Sequence, residues 1–554
     1  MSKYCVGVDF GSLSARALVA DVADGRELAA ATMDYPHAVM TEALPDGTRL
    51  PPDWALQHPQ DYLDCLRFTV TEAVRRAGVS PEDVIGFGLD FTADTMLSID
   101  ESGAPLCLKP EFASNPHAWC MLWKHHAAQR YANRMTEIAE ARGEAFLPRY
   151  GGRISSEWMP PRLWQILSEA PEVYAAAHRF IEAGDWLVMQ LTGAEARSAA
   201  MAGYKMLWHH EEGYPSEDFF AACDPGLRKV AEKLGRSPLP VGSRAGRMTE
   251  AGARLTGLRP GIAVAVANID AHVSLPAAGL TQPGGLMMIL GTSACHIMLG
   301  DCERAVPGLC GVTRDGAVAG LYGYEAGQSC CGDHFKWFAD NCVPRAYADE
   351  ADRRNLGVQQ LLTEKAARLR PGQSGLIALD WWNGNRSVLA DFDLTGLMVG
   401  MTLATRPEEI YRALIEATAY GARVILENFE RNGVPVGRLF ACGGVSKKNA
   451  LMMQIYADVL RREIRVARSD QAPALGSAMF GAVAAGADEG GYASIADAAR
   501  KMGGADARVY VPDEVSAAVY DELYGEYVAL HDCFGRGGSD VMKRLKRLRD
   551  RQSR

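Results

Sequence analysis

Residues 6–16 read VGVDFGSLSAR, in which a short apolar run is followed by a segment that contains glycine and serine. We call such a segment, where it joins two strands, a tip. A second apolar run, Ala17–Val22, follows directly, so the pattern predicts a strand, a turn and another strand. A similar order returns about 280 residues later, where the tip Gly291-Thr292-Ser293-Ala294 follows the apolar run Leu286–Leu290. Two such units predict two related halves that face each other, with a boundary near residue 280.

The rest of the chain alternates strand-sized apolar runs with longer amphipathic segments, a pattern typical of an α/β protein. The predicted strands are Tyr4–Val8, Ala17–Val22, Val84–Leu89, Ile262–Val266, Leu286–Leu290, Leu439–Ala441 and Ile464–Ala467. The predicted helices are Pro59–Arg76, Pro407–Asn432 and Lys447–Arg462. Pro407 and Gly433 supply start and stop signals for the second helix, and Ser446 is the expected N-cap of the third.

The composition is that of a globular protein. Of the 554 residues, 48% are hydrophobic and 23% are charged, which excludes wholesale disorder. At 60.0 kDa the chain is too long for one ordinary domain, and two large α/β units fit its length. The formal net charge of −10 argues against a general binder of nucleic acid or anionic membranes, because both need a basic surface.

The cysteine spacing and the hydropathy of the chain indicate which cellular compartment to expect. The 13 cysteines are scattered without a CxxC pair, so we expect reduced thiols rather than a disulfide framework or a structural zinc site. No run of about 18 apolar residues occurs, and the apolar amino terminus meets Asp9 too early for a signal peptide. A cytoplasmic protein without a membrane partner is therefore expected.

The two tips are the best candidates for a nucleotide site. The sequence has no GK dipeptide, which excludes a Walker A loop, and no GxGxxG follows a strand. Backbone N–H groups at a glycine-bearing tip can converge on an anion, and serine or threonine hydroxyls add donors. Each tip alone could be a simple turn, but two in equivalent places, with Gly443-Gly444 before a helix, favour a nucleotide cleft. Asp9 beside the first tip suits water-mediated binding of Mg²⁺.

Several charged residues are candidates for chemistry on an acceptor molecule. Asp270 follows an apolar run and could act as a general base toward a hydroxyl, or it could cap a helix. Asp90 and Asp94 could hydrogen-bond a polyol. Lys205 and Glu325 are single charges among small and apolar neighbours, for which a solvated charge is the default interpretation.

Longer blocks of sequence carry a family resemblance. They are PEFASNPHAWCMLWKHHAA (110–128), SSEWMPPRLWQI (155–166), GYKMLWH (203–209), DAHVSLPAAG (270–279), EAGQSCCGD (325–333) and SDQAPALGSAMF (469–480). Together with the amino-terminal VGVDFGS, these blocks resemble the FGGY carbohydrate kinases, and the resemblance extends to about residue 482.

This resemblance implies two actin/hexokinase-type domains of ribonuclease-H-like topology around a hinged cleft. The sugar site and the first phosphate loop are expected in an N-terminal domain at residues 1–280. The second phosphate loop and the adenosine site are expected at residues 281–540, followed by a basic tail at residues 541–554. ATP and Mg²⁺ are the implied cofactors. The expected partners are a small-molecule sugar and a second copy of the chain in a homodimer, with no nucleic acid.

The resemblance also implies roles for individual residues. Asp270 matches the catalytic base, and Asp9 matches the acid near Mg²⁺. The positions that match the two phosphate loops are Gly11, Ser12, Ser14 and Arg16 and then Gly291, Thr292 and Ser293. Those that match the remaining nucleotide contacts are Gly327, Gly443, Gly444 and Asn449, and those that match the sugar pocket are Ala93, Asp94, Lys205 and Glu325. Arg162 stands where the first family signature usually has lysine, which keeps the charge and changes its geometry.

The implied activity is transfer of the γ-phosphoryl group of ATP to the O5 hydroxyl of L-ribulose, as in L-arabinose catabolism. A kinase for D-ribulose or xylulose fits the same residues, because Asp94 and Glu325 could read either hydroxyl pattern. An alternative of another class is a nucleotide-switched binding protein of the actin/chaperone type, which would not need Asp270. The basic residues after Val541 could contact nucleic acid, although a solvated terminal helix is the commoner outcome.

Overall fold

The computed structural model describes residues 2–552; Met1, Ser553 and Arg554 lie outside the described residues. We refer to residues 2–280 as the N-terminal half and to residues 281–540 as the C-terminal half. In the described part of the chain, no helix has the length and apolar content needed to cross a membrane.

The N-terminal half alternates strands and helices, as its apolar pattern predicts. Its strands are β1 (Tyr4–Phe10), β2 (Ser14–Asp21), β3 (Glu27–Asp34), β4 (Leu56–Gln57), β5 (Val84–Phe91), β6 (Met96–Ile99), β7 (Cys120–Met121), β8 (Arg179–Glu182), β9 (Arg244–Arg247), β10 (Ala263–Ala265) and β11 (Asn268–Ile269). Its helices are α1 (Pro59–Ala77), α2 (Gln129–Arg142), α3 (Met159–Glu169), α4 (Pro171–Ala176), α5 (Ala183–Thr192), α6 (Ala199–Lys205), α7 (Glu217–Cys223), α8 (Val230–Leu234), α9 (Glu250–Thr256) and α10 (Asp270–Ala277). The four strands predicted in this half are confirmed, with small shifts at their ends.

Seven of these strands form one sheet in the order β3-β2-β1-β5-β10-β9, with β11 also paired to β5. β1 and β2 form an antiparallel hairpin in which Phe10 faces Ala15. β1 lies parallel to β5, with Asp9 beside Asp90. The first tip therefore closes the hairpin at the carboxyl end of β1, and the acid before it lies next to an acid of the neighbouring strand.

The C-terminal half has the same alternation. Its strands are β12 (Gly285–Leu290), β13 (Ala294–Gly300), β14 (Gly311–Arg314), β15 (Tyr322–Gln328), β16 (Ile377–Leu379), β17 (Leu397–Val399), β18 (Arg438–Cys442), β19 (Ile464–Ala467) and β20 (Ala505–Tyr510). The helices of this half and of the tail are α11 (Gly332–Asn341), α12 (Arg345–Arg353), α13 (Val358–Ala366), α14 (Pro407–Arg431), α15 (Gly444–Lys448), α16 (Ala450–Leu460), α17 (Ala472–Ala485), α18 (Ile495–Met502), α19 (Glu514–Gly535) and α20 (Val541–Gln552).

The second large sheet repeats the arrangement of the first. Its order is β14-β15-β13-β12-β18-β19-β20. β12 and β13 form an antiparallel hairpin in which Leu290 faces Ala294, and β12 lies parallel to β18. The prediction of two related strand–turn–strand units is therefore confirmed. Two smaller sheets, β4-β7-β6-β8 and β16-β17, add to the N-terminal and the C-terminal half respectively.

Local capping chemistry sets the ends of α1. The helix begins at Pro59, and the Nδ1 atom of the preceding His58 accepts a hydrogen bond from Gln60 N at 3.2 Å. It ends before Gly78, whose φ of 66° is in the left-handed region. Proline at the first helical position and glycine after the last are the expected signals, and the predicted helix is confirmed.

The helix predicted at residues 447–462 is wrong in its start, because α15 and α16 divide this region. Asn449 separates them, and its side chain caps α16 by accepting a hydrogen bond from Met452 N at 3.0 Å. Ser446 is not the N-cap: it lies within α15, and its hydroxyl donates to Gly443 O at 2.8 Å.

Helix α17 belongs to the C-terminal half by sequence, yet it packs on the sheet of the N-terminal half. A Cβ atom added to Gly7 in β1 would lie 1.9 Å from Ala474 O, and one added to Gly88 in β5 would lie 2.0 Å from Ser477 O. The backbone of α17 therefore touches the two central strands at positions that only glycine allows. With α18, this helix is buried in the apolar core of the N-terminal half.

The basic tail forms α20, which is docked on the C-terminal half. Met542 is buried, and Lys543 Nζ lies 2.5 Å from Asp391 Oδ2. Lys546 Nζ lies 2.7 Å from Asp393 Oδ1. Part of the positive charge of the tail is therefore paired with acids of the same chain.

We predict that Gly88→Ala destabilises the protein by about 1–3 kcal/mol or more, because the added methyl group meets the backbone of α17. The melting temperature followed by tryptophan fluorescence measures the effect. Gly525→Ala is the matched control, since Gly525 is exposed in α19 with open space around its Cα and alanine favours a helix by up to about 1 kcal/mol. Equal melting temperatures for the two variants would contradict the described packing.

Candidate active site

A cleft with a cavity volume of about 850 Å³ lies between the two halves. Both tips, the amino-terminal end of α10 and charged side chains from both halves line it. The predicted site residues that line it are Asp9, Gly11, Ser12, Arg16, Ala93, Asp94, Lys205, Asp270, Gly291, Thr292, Ser293, Glu325, Gly443 and Gly444. Residues far apart in sequence thus meet on one surface.

Both hairpin tips are closed by a hydrogen bond from the N–H of their glycine, although the first loop (residues 11–14) is one residue longer than the second (residues 291–293). In the first, Gly11 N donates a hydrogen bond to Ser14 O at 3.0 Å, and in the second, Gly291 N donates to Ser293 O at 3.0 Å. Each bond closes its tip tightly, while the residue after the glycine, Ser12 in the first tip, faces the cleft. Tips of this form, with backbone dipoles and hydroxyl groups at their surface, are suited to bind an anion such as a phosphate chain.

A third glycine-bearing turn reaches the cleft from the C-terminal half. Gly443 has a φ of 94°, and a Cβ atom there would lie 2.4 Å from Leu290 O. The turn therefore approaches β12 as closely as only glycine permits. Gly444 begins α15, and Lys447 and Lys448 of this helix also line the cleft. This side of the cleft therefore carries positive charge.

Three acidic residues come together near the first tip. Asp9 is paired in the sheet beside Asp90, and Arg16 Nη1 lies 3.9 Å from Asp9 Oδ2. Asp90 is buried; its Oδ2 accepts a hydrogen bond from Ser477 Oγ at 2.6 Å, and its Oδ1 has no partner among the described residues. Burial raises the pKa of Asp90 well above its ordinary value, and the charges of Asp9 and Asp270 raise it further. Asp9 lines the cleft beside the first tip, where its carboxylate suits water-mediated binding of a hard divalent cation.

Asp270 is the first residue of α10 and faces the cleft. Its Oδ1 accepts a hydrogen bond from Ala271 N at 2.6 Å. Burial raises the pKa of Asp270 to about 7, and the charge of Asp9 adds to that shift. A carboxyl group that titrates near neutral pH can accept a proton from an alcohol, as a general base does.

Five charged side chains form a connected series in the cleft, which we call the ion-pair chain. Lys205 Nζ lies 3.4 Å from Asp94 Oδ2 and 3.3 Å from Glu325 Oε1. Arg386 Nη2 lies 3.4 Å from the same oxygen of Glu325 and 3.8 Å from Glu157 Oε2. Because Glu325 and Arg386 belong to the C-terminal half and the other three to the N-terminal half, the ion-pair chain joins the two halves.

Burial and pairing together set the charges in the ion-pair chain. Burial alone would raise the pKa of Glu325, but Lys205 and Arg386 outweigh it and hold that pKa at about 2. Burial raises the pKa of Asp94 to about 7, because Lys205 offsets it only in part. Burial also disfavours the charged form of Lys205, yet Asp94 and Glu325 hold its pKa above the ordinary value. At neutral pH, Lys205 and Glu325 are therefore an ionised pair, and Asp94 is close to its titration point.

Arg162 holds the backbone that presents Asp94. The guanidinium group is buried and donates to the carbonyl oxygens of Asp94, Met121, Leu122, His125 and Ser156. Asp94 has a φ of 62°, in the left-handed region that favours glycine. The 2.6 Å bond from Arg162 Nη1 to Asp94 O fixes this unfavourable turn, which directs the carboxylate toward Lys205.

Of the described residues, three that the sequence assigned to the nucleotide do not line the cleft. Ser14 contributes its carbonyl oxygen to the first tip, Gly327 is buried within β15, and Asn449 caps α16. Of the two acids considered for a polyol, Asp94 lines the cleft, whereas Asp90 is bonded to α17 and does not.

Sequence analysis did not single out several residues that line the cleft, among them Trp123, Glu157, His272, Arg386 and Lys447. Trp123 Nε1 donates a hydrogen bond to Ser12 Oγ in the first tip at 2.9 Å. Trp123, Glu157 and His272 fall within the blocks that carry the family resemblance, which was the available signal. Arg386 and Lys447 fall outside those blocks. Lys447 lies between Gly444 and Asn449, which the resemblance assigned to the nucleotide, whereas the sequence neighbours of Arg386 give no indication of a site.

Comparison with protein-family models covers most of the chain. The N-terminal domain of the FGGY family of carbohydrate kinases matches residues 4–275, and the C-terminal domain of the same family matches residues 286–485. The chain belongs to the FGGY family of carbohydrate kinases. As an FGGY kinase it is an enzyme, and its cleft is the candidate active site.

Two relatives match this FGGY kinase over their full length. It is 54% identical over 555 residues to a ribulokinase from Halalkalibacterium halodurans, with 100% of this chain and 99% of that protein covered. It is 53% identical over 550 residues to a ribulokinase from Geobacillus thermodenitrificans, with 99% of this chain and 97% of that protein covered.

Solved structures share the architecture. The crystal structure of ligand-bound xylulose kinase from Lactobacillus acidophilus superimposes with a TM-score of 0.80 at 17% identity, covering 97% of this chain and 99% of that one. A xylulose kinase from Rhodospirillum rubrum gives a TM-score of 0.75 at 24% identity, covering 96% and 98%. The fold of this FGGY kinase is therefore the two-domain actin/hexokinase type, as the resemblance implied.

We predict that Arg162→Lys lowers the free energy of unfolding by about 2–4 kcal/mol, because one ammonium group cannot serve five carbonyl oxygens and leaves some of them without a partner. The melting temperature measures this loss. Arg130→Lys is the control, since Arg130 is exposed and its ion pair with Glu169 contributes at most about 1 kcal/mol. If both lysine variants melt together with the wild type, Arg162 does not hold the Asp94 turn as described.

Proposed function

We propose that the protein transfers the γ-phosphoryl group of ATP to the O5 hydroxyl of L-ribulose and forms L-ribulose 5-phosphate and ADP. The observation that carries this proposal is the 54% identity, over the whole chain, with a protein named ribulokinase. The cleft supports it, because an acid with a raised pKa shares one surface with two anion-binding tips. The proposed setting is L-arabinose catabolism in the cytoplasm.

The proposed nucleotide site follows the side of the cleft that the tips form. Its proposed residues are Gly11, Ser12, Ser14, Arg16, Gly291, Thr292, Ser293, Gly327, Gly443, Gly444 and Asn449. Those at the cleft surface offer N–H groups, hydroxyls and one guanidinium to phosphate oxygens. Ser14, Gly327 and Asn449 act from behind this surface, because they hold the first tip, β15 and α16 in place.

Asp9 is the proposed residue for Mg²⁺, with Asp90 beside it. The donor type fits the ion, because Mg²⁺ takes carboxylate and water oxygens and Asp9 presents its carboxylate at the cleft surface. When bound, the ion would neutralise charge on the phosphate oxygens.

Asp270 is the proposed general base. Its carboxylate takes the proton of the sugar O5 hydroxyl, the oxygen electron pair attacks the γ-phosphorus, and the bond to the bridging oxygen of ADP breaks. Backbone N–H groups of the tips and the Arg16 guanidinium meet the charge that develops on the transferred group. Closure of the two halves would exclude water, which is the competing acceptor.

The proposed sugar site is at the ion-pair chain. Ala93, Asp94, Lys205 and Glu325 line one part of the cleft, and Asp270 completes this proposed set. Lys205 and Glu325 hold each other at 3.3 Å and so offer a donor and an acceptor in fixed positions. Asp94 Oδ1 has no partner among the described residues and is available to a sugar hydroxyl.

We further propose that residues 1–280 and 281–540 act as two domains that close around the substrates and that residues 541–554 form a basic tail after the second. The proposed solution state is a homodimer. Sedimentation velocity at two protein concentrations measures that state, and a single species with the mass of one 60.0 kDa chain would contradict it.

We predict that Asp270→Asn lowers kcat at least about 100-fold and leaves the KM for ATP close to the wild-type value, because the amide cannot accept the hydroxyl proton. A coupled assay of ADP release gives both constants. Asp301→Asn at an exposed turn is the control and should match the wild type. Wild-type turnover in Asp270→Asn would remove Asp270 from the base role.

The same role predicts the pH dependence of the reaction. A base works in its deprotonated form, and the pKa of Asp270 is about 7, so kcat/KM of the wild type should fall as the pH drops through 7. The fall should approach about tenfold per pH unit at lower pH. The residual activity of Asp270→Asn should lack this acidic limb; retention of the limb would assign it to another group.

A panel of sugars tests the proposed substrate. We expect Mg²⁺-dependent ADP release with L-ribulose at a higher kcat/KM than with D-ribulose, D-xylulose, L-xylulose or ribitol. A higher value with D-ribulose or a xylulose would reassign the substrate within the pentulose kinases. Slow ATP hydrolysis without stimulation by any sugar would contradict the proposal and favour the nucleotide-switched binding protein instead.

A further inference from the structure

His272 lines the cleft and has no role in the mechanism above. It lies on α10, two residues after Asp270, and its side chain is fully buried. Neither ring nitrogen has a hydrogen-bond partner among the described residues. A buried polar group without a partner destabilises a fold, and native proteins pair nearly all such groups. A ring with two free nitrogens at the wall of a substrate cleft therefore indicates a bond to a ligand.

We propose that His272 binds the sugar and determines which pentulose is accepted, by reading one hydroxyl group together with Glu325. This inference rests on the proposed function, because it assigns a new contact to the same sugar site. His272 Nε2 lies 3.9 Å from Glu325 Oε2, too far for a direct hydrogen bond.

A hydroxyl group fits between these two atoms. It can accept a hydrogen bond from a ring N–H and donate one to a carboxylate oxygen. Lys205 Nζ donates to both oxygens of Glu325 at 3.3 Å, whereas Arg386 contacts only Oε1, so Oε2, the oxygen nearer to His272, has one cationic partner fewer. A ketone oxygen accepts and cannot donate, hence this pair of groups selects for a hydroxyl at that position.

The surroundings of His272 keep its ring uncharged and in place. Burial lowers the pKa of His272 to about 4, with the charge of Glu325 offsetting only part of this effect. The neutral ring therefore offers one donor and one acceptor at pH 7. The ring of Tyr204 packs against it with 4.6 Å between centroids, which limits its rotation.

Asp94 also marks the site as polar and incompletely paired. Its Oδ1 is buried and has no partner among the described residues. Asp94 and His272 both line the cleft, and both lie beside the ion-pair chain. Several free donors and acceptors in one pocket match a ligand with several hydroxyl groups.

Two substitutions at His272 separate hydrogen bonding from packing. His272→Phe keeps a ring against Tyr204 and removes both nitrogens, whereas His272→Gln can place an amide group near the position of Nε2. We expect His272→Phe to raise the KM for L-ribulose roughly 10- to 100-fold, with a smaller change in kcat and an unchanged KM for ATP. We expect His272→Gln to recover most of the loss in KM.

The ratio of kcat/KM for L-ribulose to that for D-ribulose and the two xyluloses is the second measurement. A residue that reads one hydroxyl should lose this discrimination in His272→Phe, and the ratios should move toward one. His334→Phe is the matched control, because His334 is also buried with two unpartnered ring nitrogens and does not line the cleft. It should leave the sugar KM and the ratios unchanged, whatever its effect on the melting temperature.

The outcomes distinguish this inference from the proposed function. If the wild type phosphorylates no pentulose, the proposed function fails, and this inference fails with it. If the wild type phosphorylates L-ribulose and His272→Phe keeps both its KM and the ratios, only the inference is overturned. Equal effects of His272→Phe and His334→Phe on the sugar KM would also overturn it, because loss of stability would then explain the change. If His272→Phe does not fold, His272→Leu, which also removes both nitrogens, takes its place: an altered ratio supports the inference and an unaltered ratio overturns it.

Discussion

Close packing of α17 against the backbone of β1 and β5, at positions where these strands have glycine, is the constraint on which the cleft depends. Gly7 and Gly88 let this helix lie directly on β1 and β5, which carry the first tip and its neighbouring acid. Gly476, within α17, lets it lie equally close to α10, because a Cβ atom there would be 1.9 Å from Val273 O. One helix thus touches both the sheet that holds Asp9 and the helix that begins with Asp270. Since interiors are close-packed and transmit displacement, a shift of α17 would move the acid away from the tip it faces.

The cleft combines two electrostatic environments that arise from opposite causes. Around Asp9, carboxyl groups are gathered with little compensating charge, so burial and mutual repulsion raise the pKa values of Asp90 and Asp270. In the ion-pair chain, Lys205 and Arg386 compensate burial and keep Glu325 ionised. The first environment favours the binding of cations and protons, because either one relieves the repulsion between its carboxyl groups. In the second, Lys205 and Glu325 stay charged at neutral pH and can therefore hold hydroxyl groups by charge-assisted hydrogen bonds while a proton leaves the substrate.

The parts of this structure that local sequence patterns determine could be predicted from the sequence. The two hairpins follow from short apolar runs with a polar tip between them, and Asp270 follows from its place after such a run. The N-cap of α16 was misassigned because Ser446 and Asn449 are both good cap residues three positions apart. In the structure, Asn449 is the residue that accepts the capping hydrogen bond from Met452 N. The position of α17 could not be read from the chain, because its small residues fit a helix in either core and only long-range packing decides between them.

The ion-pair chain shows the same limit for charge. Lys205 and Glu325 were assigned to the sugar pocket by the family resemblance, since an isolated charge by itself predicts only a solvated side chain, and their pairing follows once both face one cleft. Arg386 has no such signal, since it stands in a loop without apolar periodicity. Its place is set by the loop around it: the backbone N–H of Asn385 donates to Asp391 O at 2.9 Å, and Asp391 in turn binds Lys543 of the tail. The basic tail thus holds the loop that presents Arg386 to the cleft. Part of the positive charge of the tail therefore stabilises the chain itself, and a run of like charges in a sequence does not by itself identify a binding partner.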